Sequence, residues 1–260
     1  MTNESKTLFI PLYGKAVMSR EGFFKDTTAE EIVNSEKESF DNVDHSRKLA
    51  IYMAMRAKQY DEIARNFIRH KSRPVIIQLG CGLDSRAVRV NHENVMWYDL
   101  DFPDVIELRK KYYTENEFYT MIPSSVTDFG WLESITCRSE NVLILAEGLS
   151  MYLSENDMKN LIENFRNKFS KATFIFDAYS SFAARMSKYK NPINNVDAKI
   201  DFAMDKPEIL ENENVKCILN SDIIQKKYVK QLKGTDKLRF TFMGGAGKNM
   251  YRIFGYEISR

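Results

Sequence analysis

A short apolar run that ends in two closely spaced glycines constrains the fold of this chain more than any other stretch. The run covers residues 75–79, and Gly80-Cys81-Gly82 follows it. An apolar run of this length that stops at a glycine is typical of a buried parallel strand. Glycine has no Cβ and lets a ligand approach the backbone, and in open α/β sheets ligands bind outside the carboxyl ends of the strands. The stretch therefore predicts a small-molecule site near Gly80 and Gly82.

The turn after this run fits neither of two common nucleotide-binding motifs. A dinucleotide-binding turn has a third glycine, and Ser85 stands at that position. The phosphate-binding loop that ends in Gly-Lys-Ser or Gly-Lys-Thr is absent, because Leu83 follows Gly82. Two interpretations of these residues stay open, namely a ligand-binding turn and a plain tight connection from a strand to a helix.

Composition limits the class of protein. The chain has 260 residues, of which 43% are hydrophobic, and this suits one large α/β domain or a domain with a cap. A net charge of +2 gives no reason to expect a nucleic acid or a membrane surface as partner. The three cysteines, Cys81, Cys137 and Cys217, have neither metal-ligand nor disulfide spacing. Because the sequence has no apolar signal core and no run that spans a bilayer, we expect a soluble cytoplasmic protein.

Apolar runs alternate with helical patterns over most of the chain. The runs predict seven strands, at residues 74–79, 95–101, 118–122, 142–146, 172–176, 238–243 and 251–258. Residues 244–247 link the last two strands and are too few for a parallel crossover, so these strands should form an antiparallel hairpin. The pattern predicts an α/β fold with a doubly wound, seven-stranded, mostly parallel sheet and a reversed C-terminal hairpin.

Two regions fall outside this alternation. Residues 1–73 precede the first strand and have mainly helical patterns, and residues 180–235 form a long polar insertion. We expect the first region to cover the ligand site, and the second to cap a core that spans residues 74–260. The simpler alternative is that both regions only cover the sheet.

An arginine within an apolar stripe is the first candidate for ligand binding. Six residues share one face of a predicted helix: Leu49, Met53, Arg56, Tyr60, Ile63 and Phe67. A guanidinium buried there keeps its charge and needs an anionic partner. A ligand carboxylate is one possible partner, and a protein carboxylate such as Asp61 or Glu62 is the alternative.

Three carboxylates and a tyrosine lie at or after the ends of predicted strands. Asp99 and Asp101 end the second strand on one face, where an acid either accepts hydrogen bonds from ribose hydroxyls or caps the next helix. Glu147 follows the fourth strand and should face the same crevice as Gly80. Tyr152 either lines this pocket or belongs to the core.

The chain offers little for hydrolysis or for metal chemistry. Its three histidines, His45, His70 and His92, stand away from the predicted strand ends. The sequence contains no Gly-x-Ser-x-Gly elbow and no cluster with metal-ligand spacing. We therefore expect a site that binds and orients its ligands.

Five segments occur in an order that is informative as a set. They are residues 10–16, 55–57, 80–86, 99–103 and 146–153. Together they resemble the leucine carboxyl methyltransferase family, and more narrowly its bacterial branch of tetracenomycin-type polyketide O-methyltransferases. The resemblance implies a class I, Rossmann-like methyltransferase fold with S-adenosylmethionine as cofactor.

The resemblance also implies roles for single residues. Nine residues match cofactor-binding positions: Lys15, Arg56, Gly80, Gly82, Asp99, Asp101, Ser125, Val126 and Glu147. Lys15 and Arg56 would hold the methionine carboxylate, Asp101 the ribose hydroxyls, and Glu147 would lie beside the methionine amine. One departure from the family is the Ser125-Val126 pair, which replaces an Asp-hydrophobic pair that contacts the adenine.

Methyl transfer to an oxygen of a small, polyketide-like acid is the activity that the resemblance implies. A carboxylate acceptor is ionised at pH 7 and needs no general base, and this agrees with the positions of the histidines. Lys15 and Tyr152 are the candidate catalytic residues, and with Arg56 they would hold the acceptor. A hydroxyl acceptor would need a base that the sequence does not reveal.

Three other functions stay open on the sequence. A protein that binds S-adenosylmethionine without transferring a methyl group would be compatible with the departure at Ser125. A nicotinamide-dependent oxidoreductase is disfavoured by the missing third glycine. A methyltransferase that acts on the C-terminal carboxyl of a protein is the third alternative.

Overall fold

Seven strands form one twisted sheet. The computed structural model describes residues 8–36, 46–90, 95–136, 141–187 and 200–260. The strands are β1 Val75–Leu79, β2 Met96–Asp101, β3 Tyr119–Pro123, β4 Val142–Ala146, β5 Lys171–Tyr179, β6 Val215–Asp222 and β7 Tyr251–Ser259. Their order in the sheet is β3-β2-β1-β4-β5-β7-β6. Five neighbouring strands are parallel, and β7 runs antiparallel to both β5 and β6. The predicted fold class is therefore confirmed.

The predicted hairpin at the C-terminus is wrong in one of its two strands. Residues 238–243 belong to a helix, Gly234–Ala246, and the partner of β7 is β6. The strand β6 lies inside the region that we expected to be an insertion, and its polar sequence explains why the pattern did not reveal it. Of its eight residues only Val215 is buried, because β6 is an edge strand. The connection from β6 to β7 is accordingly helical rather than a tight glycine turn.

Helices cover both faces of the sheet. They are α1 Phe9–Arg20, α2 Thr27–Ser35, α3 Arg47–His70, α4 Arg86–Val90, α5 Pro103–Arg109, α6 Glu155–Lys168, α7 Ser181–Ser187, α8 Lys226–Val229 and α9 Gly234–Ala246. Side chains from α1, α2 and α3 share a core with one face of the sheet, and those of α6 share a second core with the other face. None of the helices in the described ranges is long and apolar enough to cross a bilayer.

Local sequence signals explain where the main helices begin. The Ser46 hydroxyl accepts a hydrogen bond from the Leu49 amide at the start of α3, and Asp26 does the same for Ala29 at the start of α2. The capping box expected at Ser154 and Asp157 opens α6. In the described part of the chain, three helices precede β1, and α1 packs closely on α3, since a Cβ at Gly14 would lie 3.0 Å from the Ala50 Cα.

Candidate active site

A cavity of about 760 Å³ lies at the carboxyl ends of the central strands. The chain order reverses between β1 and β4, and ligands of open α/β sheets bind at such a switch point. Seven of the predicted site residues line the cavity: Lys15, Arg56, Gly80, Gly82, Asp101, Glu147 and Tyr152. The structure does not bring Asp99, Ser125 or Val126 to this lining.

The turn after β1 adopts a backbone shape that favours glycine. Gly80 has a φ of +61° and Gly82 a φ of +50°. A Cβ at Gly80 would also lie 3.2 Å from the Leu149 side chain, so the turn has no room for one. The backbone itself is therefore the cavity wall at this point.

Arg56 is held by acidic and phenolic oxygens on one side of its guanidinium. Nε donates to Glu147 at 3.0 Å, and Nη1 donates to Asp177 at 3.3 Å and to the Tyr251 hydroxyl at 2.7 Å. Nη2 makes no hydrogen bond to the described residues, although Arg56 lines the cavity. The interpretation that a protein carboxylate partners Arg56 is thus correct in kind, but the partners are Glu147 and Asp177 rather than Asp61 or Glu62. Nη2 keeps two N–H groups for a ligand.

A glycine beneath Arg56 sets its position. Gly148 has a φ of +70°, and a Cβ there would lie 3.0 Å from both Nη1 and Nη2 of Arg56. The Gly148 amide donates to Asp177 at 2.8 Å, and the Tyr60 hydroxyl donates to the same carboxylate at 2.6 Å. Asp177 is fully buried, so it fixes both the arginine and the loop after β4.

Glu147 and Asp84 are buried carboxylates that stay ionised. Burial alone would raise the pKa of Glu147, but Arg86 and Arg56 outweigh it and hold that pKa below its usual value. Burial acts in the same way on Asp84, and Arg86, Arg89 and Lys15 hold its pKa well below the usual value. These carboxylates are therefore structural anions whose charge is already compensated.

Lys15 reaches the cavity from α1. Its Nζ forms an ion pair of 2.7 Å with Asp84, and the residue is 3% exposed. One ammonium N–H is used in this pair, and the ammonium has two others. The N-terminal helix thus contributes a cation to the wall that Arg56 occupies.

Asp101 differs from these two because no cation partners it closely. Its carboxylate accepts hydrogen bonds from the Gly82 amide at 2.7 Å and the Phe102 amide at 2.8 Å. Burial nevertheless raises the pKa of Asp101 to about 6, since the backbone hydrogen bonds offset only part of that effect. Asp101 also lines the cavity, which suits an acceptor of hydroxyl hydrogen bonds.

Asp99 is placed away from the cavity. Its carboxylate accepts hydrogen bonds from Trp97 at 2.8 Å and Tyr119 at 2.6 Å, and it pairs with Arg109. The residue is fully buried. Both aspartates stand on one face of β2, but Asp101 ends the strand whereas Asp99 lies within it. Asp99 is therefore deeper in the sheet, and the two carboxylates have different surroundings.

The predicted adenine-contacting pair also lies outside the cavity lining. The Ser125 hydroxyl is within 3.0 Å of the Thr127 hydroxyl, and the Val126 carbonyl accepts a hydrogen bond from the Trp131 indole at 3.2 Å. Val126 is buried in the apolar core beside Trp131. On the cavity side, Phe102 and Val105 follow Asp101 and form an apolar wall.

Sequence reasoning missed several residues that complete the site. Gln78 lines the cavity, donates to Asp84 at 3.2 Å, and its Oε1 is buried with no hydrogen-bond partner in the described structure. Gln78 is the one polar residue in the apolar run 75–79, and this exception to the pattern could have identified it as a site residue. Asp177 and Tyr251 come from β5 and β7, far away in the sequence, and gave no local signal.

The outer part of the cavity is mostly apolar. Tyr251 stacks on Tyr179 with ring centroids 4.0 Å apart and on Tyr52 at 6.0 Å, and all three rings line the cavity with Tyr152. Methionines and a phenylalanine complete this part: Met53, Met186, Phe242, Met243 and Met250. Lys48 is the one lining cation that has no ion pair within the described residues. This part suits an apolar ligand body with an anionic group.

The chemistry that the lining supports is binding and orientation. Among the described residues, no histidine lines the cavity and no cluster of side chains could hold a metal. His45, His92 and Cys137 lie outside the described residues. Of the lining carboxylates, Asp84 and Glu147 are ion-paired with lysine or arginine and have lowered pKa values, whereas Asp101 is held by backbone amides and has a raised pKa.

Comparisons of sequence identify relatives of the chain. The model of the leucine carboxyl methyltransferase family matches residues 8–166. Over 215 residues, the chain is 33% identical to the tetracenomycin polyketide synthesis O-methyltransferase TcmP of Streptomyces glaucescens, with 82% of this chain and 79% of that protein covered. It is 27% identical over 235 residues to the S-adenosyl-L-methionine-dependent methyltransferase dpfgK of Gibberella zeae, with 81% and 78% covered.

Comparisons of structure agree on the fold. The plantazolicin methyltransferase BpumL, solved with S-adenosylhomocysteine (SAH), aligns over all of both chains with a TM-score of 0.54 at 11% identity. The magnesium protoporphyrin IX methyltransferase ChlM of Synechocystis PCC 6803 gives a TM-score of 0.51 at 9% identity and covers 90% of this chain and all of that one. The sheet therefore has the class I methyltransferase fold.

Proposed function

The chain belongs to the leucine carboxyl methyltransferase family and is an S-adenosylmethionine-dependent methyltransferase; on this basis, we propose that it methylates the carboxylate of a small, largely apolar acid. Membership of this family decides against the nicotinamide-dependent alternative. The observation that carries the proposal is that Asp84 and Glu147, two of the three acids in the described lining, are ion-paired, have lowered pKa values and are therefore weak bases, which suits an acceptor that is already ionised. The third acid, Asp101, is assigned to the ribose hydroxyls.

The cavity wall fits the cofactor that the family uses. The Gly80–Gly82 turn lets a ligand approach the backbone, and Asp101 offers a carboxylate to ribose hydroxyls. Nη2 of Arg56 and the remaining N–H groups of Lys15 suit a carboxylate, and the partnerless Oε1 of Gln78 suits an ammonium group. When bound, S-adenosylmethionine supplies a methyl group on a positively charged sulfur.

The acceptor needs a dry, shaped pocket rather than proton transfer. A carboxylate is ionised at pH 7, so no group has to remove a proton from it. The chain's contribution is to hold the acceptor oxygen in line and to keep water out, and the stacked tyrosines and the methionines form such a wall. Lys48 and Tyr152 lie on this wall, where they support binding of an acidic ligand.

The acceptor class follows from the same wall. The relative TcmP is named for polyketide synthesis, and an apolar, aromatic-lined cavity supports a polyketide-like acid as acceptor here. A free small acid also suits the size of the cavity better than a folded protein, since a space of about 760 Å³ is typical of small-molecule sites.

Alkali-labile radioactivity tests this proposal. The protein is incubated with tritiated-methyl S-adenosylmethionine and pairs of aromatic probes that differ in one group, such as 2-naphthoic acid and 2-naphthol. We expect the acid of a pair to yield a product that releases volatile methanol in base. A base-stable product, or transfer to the phenol alone, would contradict the assignment of a carboxylate acceptor.

A further inference from the structure

Helix α9 exposes large apolar side chains on the face that points away from the core. Leu238 is 76% exposed and Phe242 is 75% exposed, while Phe240 between them is fully buried. Successive residues of a helix are about 100° apart, so residues two positions from Phe240 point to the opposite side. Solvent-facing positions usually carry polar residues, and a protruding Leu–Phe pair therefore calls for an explanation.

The net positive charge of this segment exceeds that of the whole chain. Residues 225–250 contain seven exposed cations: Lys226, Lys227, Lys230, Lys233, Lys237, Arg239 and Lys248. The only acid in this segment is Asp236, which pairs with Arg47 at 2.6 Å, and one of the seven cations, Lys227, pairs with Glu62 of α3. The segment has a net charge of +6 in a chain of +2, so the remaining residues carry −4. An average over the whole sequence hides this asymmetry.

Two exposed apolar residues of α9 and α7 reach the cavity. Phe242 lines the cavity, and so does Met186 of α7, which is 51% exposed. Phe182 lies four residues before Met186 on the same face of α7 and is 58% exposed. We define the mouth surface as the seven cations together with Phe182, Met186, Leu238 and Phe242. It combines projecting apolar side chains, two of which line the cavity, with exposed cations of α8, α9 and the residues that adjoin them.

We propose that the mouth surface docks on an anionic phospholipid bilayer. On the exposed side of α9, Leu238 and Phe242 project beside Lys237 and Arg239, and apolar side chains flanked by cations are the groups with which a surface helix binds a membrane interface. The cations complement anionic head groups, and the apolar side chains reach the acyl boundary below them, which a purely electrostatic partner would not require. Docked in this way, the cavity opens toward the bilayer and a lipophilic ligand enters without crossing water. Binding to the bilayer does not depend on the proposed reaction.

Co-sedimentation with vesicles measures this binding without reference to activity. The probes are sucrose-loaded vesicles of phosphatidylcholine alone and of phosphatidylcholine with 40 mol% phosphatidylglycerol, in about 0.1 M salt, where exposed charges still act over about 10 Å. We expect the protein to bind the anionic vesicles only, and to dissociate as the salt concentration rises. Each lysine removed from the surface should weaken partition by roughly fivefold.

Two variants and two matched controls separate the apolar and charged contributions. Leu238→Gln with Phe242→Gln, and Lys226→Gln with Lys230→Gln and Lys233→Gln, should each lower partition at least tenfold. The apolar control, Ile209→Gln with Ile218→Gln, replaces two exposed apolar residues outside the cavity lining. The charge control, Lys110→Gln with Lys159→Gln and Lys171→Gln, replaces three exposed lysines elsewhere on the surface. Thermal unfolding midpoints confirm that all four variants fold, and the controls should bind as the wild type does.

Three results would overturn the proposal. The first is no partition of the wild type into the anionic vesicles, and the second is an equal loss in the control variants. The third is binding to soluble polyglutamate that needs the three lysines but not Leu238 and Phe242. That pattern would assign the mouth surface to an acidic protein partner instead.

Discussion

Arg56 depends on the absence of a side chain at Gly148. Changing Gly148 to alanine places a Cβ 3.0 Å from Nη1 and Nη2, so the guanidinium has to move away from its place in the cavity wall. We expect Gly148→Ala to weaken SAH binding at least tenfold, measured by isothermal titration, because a shifted guanidinium loses aligned, charge-assisted hydrogen bonds.

Gly22 provides a matched control for that substitution. Its φ is +75°, close to the +70° of Gly148, but a Cβ at Gly22 would meet nothing within 4 Å. Both alanine variants carry the same backbone strain, about 1–2 kcal/mol. Gly22→Ala should therefore lose stability and keep its affinity for SAH. Equal losses of affinity in the two variants would show that strain, and not Arg56, is responsible.

The proposed ribose ligand Asp101 should make SAH binding depend on pH. Ribose hydroxyls donate to the ionised carboxylate, and the pKa of Asp101 is raised to about 6 by its burial. Protonation below pH 6 removes the charged acceptor, so the dissociation constant should rise as the pH falls from 7 to 5. Asp101→Asn should bind more weakly and lose this dependence. A wild-type affinity that is flat over this range would contradict the ribose role.

The stability of the unliganded protein should depend on pH in the opposite direction from SAH binding, since the contribution of Asp101 decreases as the pH rises. The folded state holds the Asp101 proton more tightly than the unfolded chain, in which the pKa is close to 3.8. Its contribution to the free energy of unfolding is therefore complete below pH 4 and is lost as the pH rises through about 6. Denaturant unfolding of the wild type and of Asp101→Asn gives the free energy of unfolding at each pH from 4 to 7. The difference between the two slopes of this free energy against pH measures the contribution of Asp101.

At the scale of single residues, the sequence predicted site residues at strand ends better than site residues that come from distant parts of the chain. Gly80, Asp101 and Glu147 stand at strand ends, and all line the cavity. Strand periodicity gave the correct face for Asp99 but not its depth. Asp177 was missed because its role arises from Tyr60 and Tyr251, which only the folded chain brings together.

At the scale of elements, α9 shows how one pattern can indicate two structures. Leu238, Phe240 and Phe242 alternate with more polar residues, and that alternation predicted a strand with all three on one buried face. In the helix they separate, and only Phe240 enters the core. The misassignment thus arose because the apolar residues of α9 serve two surfaces, the core and the exposed side.

Alanine substitutions distinguish the helix from the strand. We expect Phe240→Ala to lower the free energy of unfolding by about 3–5 kcal/mol, since it removes a fully buried ring. Phe242→Ala should change it by about 0.5 kcal/mol or less, because that ring is 75% exposed. Denaturant melts of the two variants measure both values. Similar large losses would support the strand that the sequence predicted.

At the scale of the whole molecule, buried ion pairs join the N-terminal helices to the turn after β1 and to α4. Lys15 of α1 pairs with Asp84, and Asp26 and Asp61 pair with Arg89 at 2.8 Å. Removing one partner of a buried pair typically costs 3–5 kcal/mol, because the other charge stays uncompensated. The helices before β1 therefore belong to the same cooperative structure as the turn that follows β1. The architecture of the sheet was predictable from strand order, whereas these cross-connections were not.

Titration of SAH into three proteins shows whether this cavity holds the cofactor through Arg56. The proteins are the wild type, Arg56→Lys, and Arg47→Lys as a control with a guanidinium whose ion-pair partners, Glu21 and Asp236, lie outside the cavity lining. We expect one SAH per wild-type chain, at least tenfold weaker binding to Arg56→Lys because lysine lacks the guanidinium fork, and nearly unchanged affinity for Arg47→Lys. No binding to the wild type, or equal losses in both variants, would contradict the assignment of Arg56 as the cofactor's carboxylate partner.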